Sequence, residues 1–127
     1  MSRLTLDLSR NDLSAKPGCD ESLDTWLRWL EMARGAEIDL GLGRCRQVAE
    51  SLGLSKPAPT VITVAGTNGK GSSVAMLESI WLEAGYRVGA YTSPHLESYN
   101  ERIRIAGFSA DDSVICNAFD AVERARG

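Results

Sequence analysis

The chain has 127 residues, with 14 Lys and Arg against 17 Asp and Glu and a formal net charge of -3; that length suits one hydrophobic core and leaves two independent domains cramped. A composition of 43% hydrophobic and 24% charged residues excludes a disordered chain, and a pI near 5.1 argues against a nucleic-acid binder, whose affinity needs a concentrated basic surface. Cys19, Cys45 and Cys116 form no CxxC pair and read as reduced thiols, and no basic head with an apolar run or membrane-length window is present, so a cytoplasmic protein without membrane contact is expected.

Residues 1–20 mix Leu4, Leu6 and Leu8 with polar residues and then reach Lys16-Pro17-Gly18, which predicts a flexible N-terminal tail. The folded unit is expected over residues 21–127. Leu23, Trp26, Leu27 and Leu30 follow helical spacing, with Asp20 or Ser22 as cap and Gly35 as stop. A second helix is expected from Leu42 to Leu52, closed by Gly53. Lys56-Pro57-Ala58-Pro59 then disfavours helix and leads into Thr60-Val61-Ile62-Thr63-Val64-Ala65. This run is short, β-branched and apolar on both faces, as in a covered strand of a parallel sheet.

Val74, Leu77, Ile80, Trp81 and Ala84 trace the next helix, ended by Gly85, and Tyr86-Arg87-Val88-Gly89-Ala90-Tyr91 reads as the following strand. Strand, loop, helix and strand predict a right-handed parallel crossover and hence an α/β protein. Farther on, Arg102-Ile103-Arg104-Ile105 alternates like a half-exposed strand, and Ala106-Gly107 turns it back on Phe108. Ser109 and Asp112 resemble a capping box for a last helix carrying Val114, Ile115, Ala118, Phe119 and Val122.

Between the two expected strands stands Gly66-Thr67-Asn68-Gly69-Lys70-Gly71-Ser72-Ser73. A strand that stops at small residues before a helix gathers backbone N–H groups and the positive helix end around one point, where an anion binds. Gly66 and Gly69 let the amides curl about phosphate oxygens, and Lys70 aims a mobile cation at the β- and γ-phosphates of ATP. A hydroxyl from Ser72 or Ser73 sits in the first helical turn for phosphate or Mg²⁺. The common phosphate loop has four residues between its first Gly and the Gly-Lys pair, with Ser or Thr directly after Lys. Here Thr67 and Asn68 alone separate the glycines and Gly71 follows Lys70, which argues against an ordinary kinase or GTPase.

The loop resembles that of the Mur-ligase superfamily, and within it the folylpolyglutamate synthase/dihydrofolate synthase family. Ile38-Asp39-Leu40-Gly41-Leu42 with Arg44 and Arg46, and Tyr91-Thr92-Ser93-Pro94-His95-Leu96 followed by Asn100-Glu101-Arg102-Ile103, are similar to two further segments of that family. The resemblance implies a phosphate-loop parallel sheet with flanking helices, the incomplete ATP-binding domain of a Mur ligase. It implies an ATP- and Mg²⁺-dependent ligase that joins L-glutamate to dihydropteroate or a folate through an acyl phosphate, in a monomeric parent enzyme. By motif, Lys70 would act on the γ-phosphate, Ser72 and Ser93 would hold Mg²⁺, and Pro94, His95, Leu96, Asn100 and Arg102 would line the pterin or folate side.

Plainer readings stand beside these. His95 suits a hydrogen-bonded loop residue, Arg102 and Arg104 suit a solvated strand face, Trp26 and Trp29 suit packing, and Asp111 and Asp112 complement a helix N-terminus. The family's further magnesium ligands, its modified lysine and its C-terminal domain find no counterpart, so the chain is expected to be an N-terminal piece, inactive alone and prone to self-association through an incomplete sheet. The alternative function is a non-catalytic nucleotide-binding or interaction module.

Overall fold

The computed structural model describes residues 15–33, 41–54, 56 and 58–126. Gly35, the Ile38-Asp39-Leu40 segment, Pro57 and residues 1–14 of the expected tail lie outside the described residues. Helix α1, Leu23–Ala33, forms where the spacing places it. Ser22 supplies its cap, the Oγ accepting the Thr25 N–H at 3.2 Å, and Asp24 pairs with Arg28 one turn on at 2.7 Å. Helix α2, Gly43–Ser51, is short and buries no side chain. It rests against the last helix, α4, Asp112–Arg126.

The core joins α1 to α4. Leu23, Trp26, Ala110, Ile115 and Cys116 are buried together, with Leu27, Trp29, Tyr99, Ile103 and Phe119 packed around them. Trp26 is fully enclosed, and its indole N–H donates to the Gly18 carbonyl at 3.0 Å, so the polar edge of the ring is satisfied. Pro17 is buried beside it. Lys16 Nζ reaches Asp120 Oδ1 at 2.8 Å, and Arg124 pairs with the same carboxylate. The Lys16 hydrogen bond, followed by the Arg124 hydrogen bond and charge, holds the Asp120 carboxyl below the usual carboxylate range against the opposing effect of burial.

Three short strands form one antiparallel sheet in the order β1-β2-β3: β1 Gly89–Tyr91, β2 Ile103–Ile105 and β3 Phe108–Ser109. Gly89 faces Ile105, Tyr91 faces Ile103, and Ile105 faces Phe108. The β2–β3 turn sits at Ala106 (φ 53°) and Gly107 (φ 87°), two successive left-handed residues of the kind that matches the twist of a tight hairpin. Ser109 is thereby committed to β3, and the Asp111 carbonyl, accepting from Val114 and Ile115 N–H, opens α4. The expected Ser109 cap is corrected accordingly.

The expected parallel sheet is not seen among the described residues, whose one sheet is antiparallel. Residues 60–65 enter no ladder, and Val61 and Ile62 are 67% and 52% exposed. A β-branched run apolar on both faces states a preference for extended backbone, but a ladder needs partner strands and cover that composition does not specify. β1 instead takes its hydrogen bonds from β2, a neighbour reached through the short loop 92–102. What is present is a small α/β unit. Helix α3, Lys70–Glu83, contacts β1 and leaves Met76 and Ile80 exposed, while the side chain it buries is the charged Glu78.

Candidate functional site

Gly66, Thr67, Asn68 and Gly69 make the turn that ends the extended segment, and Lys70, Gly71, Ser72 and Ser73 make the first turn of α3. Gly69 is the N-cap with φ 74° and ψ 4°. A side chain there costs about 1–2 kcal/mol in the left-handed region, so glycine is what lets the chain swing directly into the helix. Its carbonyl accepts the Ser73 N–H at 2.9 Å, which leaves the N–H groups ahead of Ser73 unmatched within the helix. Lys70 Nζ lies over the loop, donating to the Gly66 carbonyl at 2.7 Å and the Thr67 carbonyl at 3.4 Å. The result is an exposed helix N-terminus with one ammonium tethered to the loop before it, a geometry suited to an anion.

The second loop leaves β1 at Thr92, passes through Ser93 and Pro94 across a cis peptide, and closes at the 3-10 turn Tyr99–Arg102. Glu101 organises it. One carboxylate oxygen accepts from Leu96 N–H at 2.8 Å, and the other from Glu97 at 2.9 Å and Ser98 at 2.8 Å. Those three donors, Leu96 first, hold the Glu101 carboxyl below the usual glutamate range. Thr92 ties the other end, its N–H donating to the Arg102 carbonyl at 2.9 Å. Ser98-x-x-Glu101 is the spacing of a capping box, so the signal for Glu101 stood in the sequence although no site role was expected of it.

His95 and Arg102 meet: Arg102 Nε donates to His95 Nδ1 at 2.7 Å, a bond that puts the imidazole proton on Nε2. The guanidinium lies over the Tyr99 ring at 5.4 Å. Tyr99 in turn packs on Phe119, and Phe119 on Trp26, with centroids 5.9 and 5.8 Å apart, so the loop is braced on the core. Asn100 faces the scaffold, its Nδ2 donating to the Ala110 carbonyl and to Asp112 Oδ1, both at 2.8 Å. Leu96 is 92% exposed and lies at the rim.

A cavity of about 260 Å³ brings the two loops together, with Gly71 and Val74 of α3 facing Thr92, Pro94 and Glu101 over a floor that includes Glu78 and Arg104. A larger one, about 480 Å³, lies beside α4 and is lined by Cys19, Leu52, Asn117, Asp120 and Arg124; it contains none of the phosphate-loop residues, so the smaller cavity is the better candidate. Arg104, read from alternation as a solvated face, is half-buried with Nε 3.1 Å from Glu78 Oε2. The signal for Glu78 is a lone acid between Leu77 and Ile80 on the apolar helix. Among the described residues no three His, Cys, Asp or Glu side chains cluster as a metal site; Glu78 and Glu101 line the cavity, and the two loops carry the hydroxyls of Ser72, Ser73 and Ser93. No described helix is long and apolar enough to cross a membrane.

No family model matches the chain. It is similar to the dihydrofolate synthase/folylpolyglutamate synthase of Escherichia coli (strain K12), at 50% identity over 111 residues that cover 87% of this chain and 26% of the relative. Among solved structures it is similar to E. coli FolC in complex with DHPP and ADP, at 50% identity and a TM-score of 0.82, covering 87% of this chain and 27% of that one. A bifunctional folylpolyglutamate synthase/dihydrofolate synthase with Mn, AMPPNP and L-glutamate bound matches at 47% identity and a TM-score of 0.82, covering 89% and 27%. The chain therefore spans about a quarter of the length of these relatives. With half the residues identical over 87% of this chain and the backbone superposing on the solved enzymes, the chain belongs to the folylpolyglutamate synthase/dihydrofolate synthase family.

Proposed function

We propose that this chain is the phosphate-binding part of an ATP-dependent amide ligase that adds L-glutamate to dihydropteroate, to a folate, or to both. The observation that carries the reading is Lys70, held over the glycine loop at a helix N-terminus opened by left-handed Gly69, in a family whose solved members are described with ADP, AMPPNP, Mn, DHPP and L-glutamate bound. A carboxylate oxygen of the pterin substrate attacks the γ-phosphorus of ATP, the bond to the bridging oxygen breaks, and ADP leaves. The α-amine of glutamate then attacks the acyl carbon, phosphate departs with the bonding electrons, and the amine loses a proton as the amide forms.

Lys70 releases the Gly66 carbonyl and pairs with the γ-phosphate, where charge collects. The backbone amides from Gly69 onward orient the other phosphates, and the hydroxyls of Ser72 and Ser93 hold the divalent ion. Hydroxyl oxygens are hard donors of the kind Mg²⁺ accepts, and a bound ion would offset phosphate charge. Pro94, His95, Leu96 and Arg102 carry the pterin side, braced on the scaffold by Asn100, with the His95 Nε2 proton and the Arg102 guanidinium as donors to a carboxylate. In a chain of the relatives' length, residues 60–65 become a strand of a parallel sheet, the arrangement that puts phosphate loops at strand C-terminal ends.

Calorimetry of ATP binding, with and without Mg²⁺, tests the cradle. Lys70→Ala loses one or more charge-assisted hydrogen bonds worth roughly 1.5–3 kcal/mol each, so affinity falls at least tenfold while the thermal midpoint stays in place. Unchanged affinity refutes the assignment. Glutamate-dependent phosphate release with dihydropteroate, from this chain and from one extended to the relatives' length, separates a ligase part from a non-catalytic nucleotide-binding module: turnover confined to the longer chain supports the first, and binding without turnover in both supports the second.

A further inference from the structure

Two charged side chains that the nucleotide chemistry does not use stand between the two loops. Glu78, on α3 two turns beyond Lys70, is 3% exposed, and Arg104 on β2 brings Nε within 3.1 Å of its Oε2. Arg104 also donates from Nη2 to the Gly107 carbonyl at 2.9 Å, so one guanidinium holds both the helix and the hairpin turn. The N–H of Nε is not aimed at the carboxylate, and neither Arg104 Nε nor Glu78 Oε1 has a hydrogen-bond partner among the described residues.

With Glu78 buried and Arg104 half-buried, an imperfectly bonded pair is a poor device for stability, since desolvation of the carboxylate offsets much of the Coulombic gain. As a device for geometry it is well placed. Arg104 faces Ala90 across the ladder, two residues before Thr92, so fixing β2 against α3 fixes the start of the Ser93-Pro94 loop. We propose that Glu78 and Arg104 are positioning residues: their ion pair sets the distance between the Lys70 cradle at the head of α3 and Ser93 in the facing loop, and so the span across which phosphate and divalent cation are held together. The inference rests on the nucleotide reading for its purpose, but not for its geometry.

Two measurements on the full chain separate these. With exposed Cys19 and Cys45 changed to Ser, spin labels at Glu83→Cys and Glu97→Cys report the separation of α3 from the loop by pulsed electron paramagnetic resonance. Glu78→Leu/Arg104→Leu keeps an apolar floor and a cooperative thermal transition, yet broadens or displaces the distance distribution and lowers the Mg²⁺-dependent gain in ATP affinity at least fivefold, leaving metal-free ATP affinity within twofold. Arg104→Lys, which keeps a cation against Glu78, restores the narrow distribution. An unchanged distribution in the Leu pair overturns the proposal, as does a narrow distribution in Glu78→Gln should the Leu pair fail to fold. If the parent chain binds no ATP, the nucleotide reading fails and the distance measurement alone decides the positioning role.

Discussion

Trp26 is the residue on which the described core turns. It is fully enclosed, stacks edge-on against Trp29 with centroids 5.9 Å apart, packs on Phe119 at 5.8 Å, and donates its indole proton to Gly18. Truncating a buried Trp to Ala costs roughly 3–5 kcal/mol through lost transfer energy and the cavity left behind. Trp26→Phe keeps most of the ring volume and loses the N–H, leaving the Gly18 carbonyl with the Glu21 N–H alone, for a net cost of about 1 kcal/mol. Total stability for such a chain is on the order of 5–15 kcal/mol. With a urea slope of about 2 kcal/mol per molar, Trp26→Ala lowers the midpoint by roughly 2 M and Trp26→Phe by less than half of that. Far-ultraviolet circular dichroism is the assay, because indole fluorescence changes with the substitution itself. A midpoint that moves less than about 0.5 M in Trp26→Ala refutes the view that α1 and α4 hold this unit together.

Glu101→Gln removes charge and leaves one acceptor oxygen where the carboxylate offers two, so the amides of Leu96, Glu97 and Ser98 exchange their hydrogens at least tenfold faster while helix content is unchanged. Acid does the same by protonation: the folded-state pKa is lowered, so closure of the loop is intact above the ordinary Glu value of about 4.3 and is lost as pH falls through the lower folded value. Exchange measured down through that range checks the sign; protection that persists in acid contradicts it. Gly69→Ala meets no atom within 4 Å, so its effect is conformational alone, about 1–2 kcal/mol of strain at φ 74°. Thermal unfolding should register that loss, and ATP affinity should fall with it.

The sequence speaks most clearly where local rules suffice. Leucine and tryptophan at helical spacing, with Ser22 ahead, place α1; Ala106-Gly107 between alternating residues places the hairpin; and the glycine-lysine run places a left-handed turn at a helix head. What escaped was what depends on partners. Ser109 has the spacing of a cap, but its register opposite Arg104 takes it into β3. Arg104 alternates like a solvated residue, yet its guanidinium turns inward because Glu78 waits on α3. Asn100 and Glu101 lie in one motif, and the motif cannot say that one braces α4 while the other closes the loop. A sequence pattern records what each residue prefers, and the contacts that decide between two acceptable preferences lie far away in the chain.

Residues 60–65 put that argument to a quantitative test. Val61 and Ile62 are mostly exposed in this chain, so polar substitution, Val61→Thr with Ile62→Thr, removes little from the folded state. The expected change in stability is within about 0.5 kcal/mol, the usual range for surface positions. In a version extended to the relatives' length, the proposed parallel strand would cover the same two side chains. Fully burying a Val or Ile contributes roughly 1.5–3 kcal/mol, and a Thr hydroxyl set down there without a partner costs more on top, so the pair should cost about 3–6 kcal/mol in the longer protein. Parallel denaturation series on the two lengths read the difference directly. Equal small effects in both would mean that the β-branched run stays outside any sheet, and that the phosphate loop is carried by α3 and its contact with β1 alone.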